Sequence, residues 1–107
     1  MSFAEKFNLQ GKVAVVTGGA GILGRGFVKG LADAGAQVAI VDMQAEAVNA
    51  LAKEIGPQAF GFVCDVASQD SVEQCVADIL ARFGRIDILH NNAATKTGDV
   101  RKFFTPF

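Results

Sequence analysis

Lys12-Val13-Ala14-Val15-Val16-Thr17-Gly18-Gly19-Ala20-Gly21-Ile22-Leu23-Gly24 is the stretch that decides the fold. The run from Lys12 to Thr17 is apolar and β-branched almost throughout, as a strand buried on both faces should be. Gly19 to Gly24 then reads G-x-G-x-x-G. Beyond it, Leu23, Phe27, Leu31 and Ala34 recur at helical spacing, and Gly35 ends that pattern. A strand, a glycine turn and a helix in this order form the context in which the motif carries weight. The chain must reverse tightly, let a pyrophosphate approach the backbone, and hold the helix near the strand. Free N–H groups and the helix dipole then face the phosphates. The candidate contacts are Gly18, Gly21, Leu23 and Gly24. The plain alternative is a glycine-rich turn with no ligand. No Gly-Lys-Ser/Thr follows, which disfavours a nucleoside-triphosphate loop.

Outward from this unit the alternation continues. Gln37 to Val41 is a second apolar run. Val48, Leu51 and Ile55 mark one helix face, closed by Gly56-Pro57. Ala59 to Cys64 is a third strand. Ser68 or Asp70 can cap a third helix whose inward face reads Val72, Val76, Ile79, Leu80 and Phe83, stopped by Gly84. Ile86 to Leu89 is the fourth strand. The order β-α-β-α-β-α-β predicts an α/β fold, a Rossmann-like doubly wound parallel sheet with strand order 3-2-1-4. The whole of 1–107 reads as one partial NAD(P)-binding Rossmann domain, with an irregular tail over 95–107.

Asp42 ends the second run at about the distance past the glycines expected of an acid that binds the adenosine ribose. A carboxylate there accepts hydrogen bonds from both ribose hydroxyls and repels a 2′-phosphate. Met43 and Gln44 supply no cation to bind one, so the expected cofactor is NAD in preference to NADP. The alternative is an Asp that only caps the following helix.

Composition narrows the class. Half of the residues are hydrophobic, a fifth are charged, and the net charge is −1. With no basic block, nucleic acid and membrane surfaces are not expected partners. No apolar run is long enough to span a bilayer, and Met1 to Lys12 lacks a signal-peptide core, so the expected location is cytoplasmic. Cys64 and Cys75 form no CxxC pair and His90 is the single histidine. No metal site is expected, and both cysteines read as buried free thiols.

Four segments together resemble the short-chain dehydrogenase/reductase family: Leu9 to Gly18, the glycine turn, Cys64-Asp65-Val66, and Asp87-Ile88-Leu89-His90-Asn91-Asn92-Ala93-Ala94. The resemblance implies that Asp65 and Val66 hold the adenine ring. It implies that Asn92, Ala93 and Ala94 pass beside the cofactor ribose. Ala94 stands where the family usually has glycine, which adds a methyl group at a close approach. The common branch would also place glycine at Ile22. The spacing Gly18, Gly21, Gly24 is instead that of the extended branch, which includes sugar-nucleotide epimerases. The Asn-Asn-Ala turn involves more residues and favours the common branch.

The activity implied is hydride transfer between a nicotinamide and an alcohol or carbonyl substrate. The family performs it with a Tyr, a Lys four residues on, and a Ser. This sequence contains no Tyr, and Ser2, Ser68 and Ser71 all precede the fourth strand. No catalytic residue is therefore expected, in a chain truncated after the fourth strand. His90 reads as structural. A stand-alone dinucleotide-binding module, a structural protein with a vestigial site, and a fragment of an extended-type epimerase are the alternatives. The fourth strand has a buried-strand sequence and no protecting proline or lysine. Self-association through that edge, or a tail folded over it by Phe103, Phe104 and Phe107, is the last expectation.

Overall fold

The computed structural model describes residues 8–91. Its elements are β1 (Val13–Thr17), α1 (Ile22–Asp33), β2 (Gln37–Asp42), α2 (Ala45–Ile55), β3 (Ala59–Val63), α3 (Gln69–Phe83) and β4 (Ile88–Asn91). The sheet order is β3-β2-β1-β4 and every pairing is parallel. The expected fold class and strand order hold.

Side-chain alternation divides the core between two faces. Ala14, Val16, Val38 and Ile40 point to α1 and α2, where they meet Val28, Ala32, Val48 and Leu51. Val15, Ala39 and Val41 point to α3 and meet Val72, Cys75 and Ile79. β1 is buried along its whole length, as its unbroken apolar run requires. Burying each such Val or Ile side chain contributes roughly 1.5–3 kcal/mol.

Two details correct the sequence reading. The face that α1 turns to the sheet is Gly24, Val28 and Ala32, and not the line through Leu23 and Phe27, which are exposed. Size decides here: the smaller residues let the helix lie close to the strands, and Leu31 packs at the margin of the core. β4 also begins two residues later than its apolar run. Asp87 takes the place of the first strand contact, because its Oδ2 accepts the Val13 N–H at 2.8 Å while its own N–H donates to the Val13 carbonyl at 2.9 Å. The Arg85 guanidinium and the Val13 N–H hold the Asp87 carboxyl below the usual range. Pairing then runs on to Thr17↔Asn91, where the Thr17 hydroxyl donates to Asn91 Oδ1 at 2.8 Å.

The helix stops are as read. Gly35, Gly56 and Gly84 all have positive φ, and Ser68 caps α3 by accepting the Ser71 N–H. The expected tail contacts, with Phe103, Phe104 and Phe107, lie outside the described residues. Among the described residues no helix is long and apolar enough to cross a membrane.

Candidate functional site: the crevice at the carboxyl ends of the strands

α1 and α2 leave the sheet on one face and α3 covers the other, so β1 and β4 flank a topological switch. In open α/β sheets ligands bind outside the carboxyl ends of the strands at such a point. The glycine turn lies there. Gly18 follows β1 with φ +67°, a conformation that L side chains rarely adopt. Its N–H donates to the Val41 carbonyl at 2.7 Å, and the Gly21 N–H donates back to the Gly18 carbonyl at 3.1 Å. The turn is thus tied to β2 and closed on itself.

Gly24 and Gly21 lack side chains for different reasons. A Cβ on Gly24 would overlap the Gly18 carbonyl oxygen and come within 2.7 Å of Gly19 Cα. The close packing of helix on turn therefore requires glycine there. A Cβ on Gly21 would meet only the Gly18 oxygen, at 3.4 Å, and Gly21 has an ordinary extended conformation. Nothing in the protein's own packing calls for glycine at this position. The space it leaves opens outward, at the N-cap of α1, where no side chain caps the helix and no acidic residue occupies the first turn. A cradle of this kind fits a pyrophosphate.

Asp42 stands beside the turn. Its Oδ2 accepts the Ala20 N–H at 3.3 Å, and its Oδ1 accepts the Met43 N–H at 2.7 Å and the Gln44 N–H at 3.4 Å. The carboxylate therefore braces the entry to α2 as well as the glycine turn. The N-cap of α2 is Gln44, with no side-chain cap bond, so Asp42 steadies the turn before the helix and does not cap it. At the end of β3 the Cys64 N–H donates to the Asp42 carbonyl at 2.9 Å. That bond sets Asp65 and Val66 next along the same rim.

Asp65 is fixed by a short relay. Its N–H donates to Ser71 Oγ at 2.9 Å, and the Ser71 hydroxyl donates to Cys64 Sγ at 3.7 Å. Its own Oδ1 accepts the Ala67 N–H at 3.0 Å. Cys64 and Cys75 are free and buried, as read. The Cys75 thiol shares a hydrogen bond with the Cys64 sulfur, and this, together with burial, pushes its own ionisation up. His90 stacks on Phe27, with ring centroids 3.7 Å apart, so it packs α1 against β4.

Gly18, Gly21, Leu23, Gly24, Asp42, Asp65 and Val66 thus lie along one end of the sheet. Asn92, Ala93 and Ala94 lie outside the described residues. Sequence reading missed the apolar character of this end. The exposed large apolar side chains among the described residues are Ile22 (92%), Leu23 (71%), Met43 (64%), Val63 (56%) and Phe27 (45%). Ile22, Leu23 and Phe27 lie in the first two turns of α1, Val63 ends β3, and Met43 follows β2. An open cleft of about 560 Å³, lined by Gln37, Phe60, Asp78, Ala81, Arg82 and Phe83, lies at the opposite end of the sheet. There the Arg82 guanidinium stacks on Phe60. Among the described residues no group of His, Cys, Asp or Glu could hold a metal ion.

The fold and this crevice define a doubly wound domain of the dinucleotide-binding type. A model of the family described as short chain dehydrogenase matches residues 12–105, and the chain belongs to that family of oxidoreductases. It is 50% identical over 86 residues to sorbitol dehydrogenase of Cereibacter sphaeroides, covering 80% of this chain and 34% of that protein. It is 46% identical over 90 residues to D-threitol dehydrogenase of Mycolicibacterium smegmatis, covering 81% and 35%. The structure is similar to NAD+-bound xylitol dehydrogenase, with TM-score 0.76, 37% identity and coverage of 82% and 35%. It is also similar to the 3-ketoacyl-(acyl-carrier-protein) reductase of Brucella melitensis complexed with NADH, with TM-score 0.75, 38% identity and coverage of 77% and 34%. The chain spans about a third of the length of the curated relatives it matches.

Proposed function

We propose that this chain is the NAD-binding portion of a short-chain dehydrogenase/reductase-type oxidoreductase. The observation that carries the reading is the bond from the Ala20 N–H to Asp42 Oδ2. It sets an acid and the glycine turn side by side at the carboxyl ends of β1 and β2. The first-turn N–H groups of α1 donate to the pyrophosphate through the opening that Gly21 leaves. Asp42 accepts hydrogen bonds from the adenosine ribose hydroxyls, and Asp65 and Val66 hold the adenine. Leu23 lines the same rim, and Asn92, Ala93 and Ala94 are the further cofactor-binding candidates that the family resemblance implies. When bound, the nicotinamide supplies hydride exchange with an alcohol or carbonyl carbon. Relatives named for sorbitol and D-threitol make a polyol the substrate class to test first. The expected location is cytoplasmic.

Calorimetry with NAD+ and NADP+ tests the assignment of Asp42. The unmutated chain is expected to prefer NAD+, because a 2′-phosphate would meet a carboxylate. Asp42→Ala is expected to weaken NAD+ about 10-fold or more, the scale of losing charge-assisted hydrogen bonds, and to narrow the preference. Equal affinity for the two cofactors in the unmutated chain would rule out the ribose role.

A further inference from the structure

Cys64 and Cys75 are both buried in the core layer between the sheet and α3, and neither sulfur takes part in the proposed dinucleotide contacts. Cys64 follows β3 directly and precedes Asp65, and Cys75 lies on α3 one turn beyond Ser71. The Ser71 hydroxyl donates to Cys64 Sγ at 3.7 Å, and the Cys75 thiol donates to the same sulfur. A buried cysteine in apolar surroundings ionises with difficulty. Cys64 differs. The bond from Cys75, joined by that from Ser71, outweighs burial and the nearby Asp65 charge and holds the Cys64 thiol below its usual range. The same bond keeps the two sulfurs within mutual reach, as a disulfide requires.

We propose that Cys64 and Cys75 form a peroxide-sensitive pair, closing to an intramolecular disulfide that weakens the dinucleotide site at Asp65. The effect on the site rests on the dinucleotide reading above. The Cys64 thiolate attacks one oxygen of hydrogen peroxide, the O–O bond breaks, and the hydroxide released takes up the thiol proton as water. The Cys75 sulfur then attacks the sulfenic sulfur, and its proton leaves with the hydroxyl group as a second water. Two thiols lose two electrons and the peroxide gains them. Burial selects the oxidant: a small uncharged peroxide enters during local opening of the core, whereas a disulfide the size of oxidised glutathione does not. Closure reaches the cofactor rim through Ser71. Ser71 Oγ accepts the Asp65 N–H at 2.9 Å while its hydroxyl donates to Cys64. A disulfide draws the Cys64 sulfur toward Cys75 and takes away the acceptor of Ser71, so the relay that fixes Asp65 is released.

The test treats the 107-residue chain with hydrogen peroxide, removes the peroxide, and reads intact mass, non-reducing peptide maps and NADH affinity. The expected product is a monomer lighter by about 2 Da, the two hydrogens lost to a disulfide, with the Cys64 and Cys75 peptides linked. It should bind NADH about 10-fold more weakly, the scale of one hydrogen bond lost from the site, and dithiothreitol should restore the parent affinity. Oxidised glutathione in place of peroxide should leave both thiols free. Cys75→Ser keeps a donor to Cys64 but no second sulfur, so peroxide with dimedone present should label Cys64. Thiols that survive peroxide, a disulfide between two chains, a glutathione adduct, or an unlabelled Cys75→Ser chain would overturn the proposal. So would a linked monomer that binds NADH within twofold of the reduced chain. A linked monomer from a chain that binds NADH in neither state removes the dinucleotide reading and the coupling to it, and leaves the peroxide-sensitive pair.

Discussion

Gly24→Ala is expected to destabilise the fold more than any other single-methyl change in the glycine turn. The added Cβ would overlap the Gly18 carbonyl oxygen and approach Gly19 Cα to 2.7 Å. Both obstacles are backbone, so no side chain can swing aside. Relief requires α1 to move off the sheet, which would separate Val28 and Ala32 from Val16 and Ile40 in the core. Overpacking a well-filled core costs about 1–3 kcal/mol where side chains can adjust, and this site lies at the upper end. Chemical denaturation should show a lower midpoint with an unchanged slope. A variant as stable as the parent would mean that helix and turn do not pack this closely.

Gly21→Asp is expected to separate binding from stability. Gly21 is the N-cap of α1, has extended φ and ψ, and leaves the helix without a side-chain cap. Aspartate is a preferred N-cap residue and its charge suits the helix dipole. The fold should be unharmed, or more stable by a few tenths of a kcal/mol. NADH should be lost, because the new carboxylate fills the opening and brings like charge against a pyrophosphate. A decrease of about 100-fold or more is the expected scale for burying an anion against an anion. Retained NADH affinity with unchanged melting would show that nothing anionic enters there.

Much of the fold was legible because period and punctuation agreed. The β-branched run of β1 read as a doubly buried strand, and Gly35, Gly56 and Gly84 ended their helices as expected. The inward face of α1 was not legible, for a physical reason. Leu23 and Phe27 are more hydrophobic than Gly24, Val28 and Ala32, but close packing on the sheet selects for small size. The late start of β4 depends on Asp87 reaching Val13 across 74 positions in sequence, and no local pattern encodes that contact. The glycine turn and Asp42 were legible as site candidates because their spacing is itself the signal. The apolar rim of Ile22, Met43 and Val63 was not, since exposure appears only once the strand ends are brought together.

A dinucleotide in the crevice between the glycine turn and Asp42 is what the proposed function requires. An NMR titration of the 107-residue chain with NADH, following backbone amide shifts, tests it most directly. The expected result is saturable shifts centred on Gly18 to Arg25, with Asp42, Met43, Asp65 and Val66 also affected, and none in the cleft formed by Phe60, Arg82 and Phe83. Shifts centred on that opposite cleft, or no saturable shift at all, would contradict it.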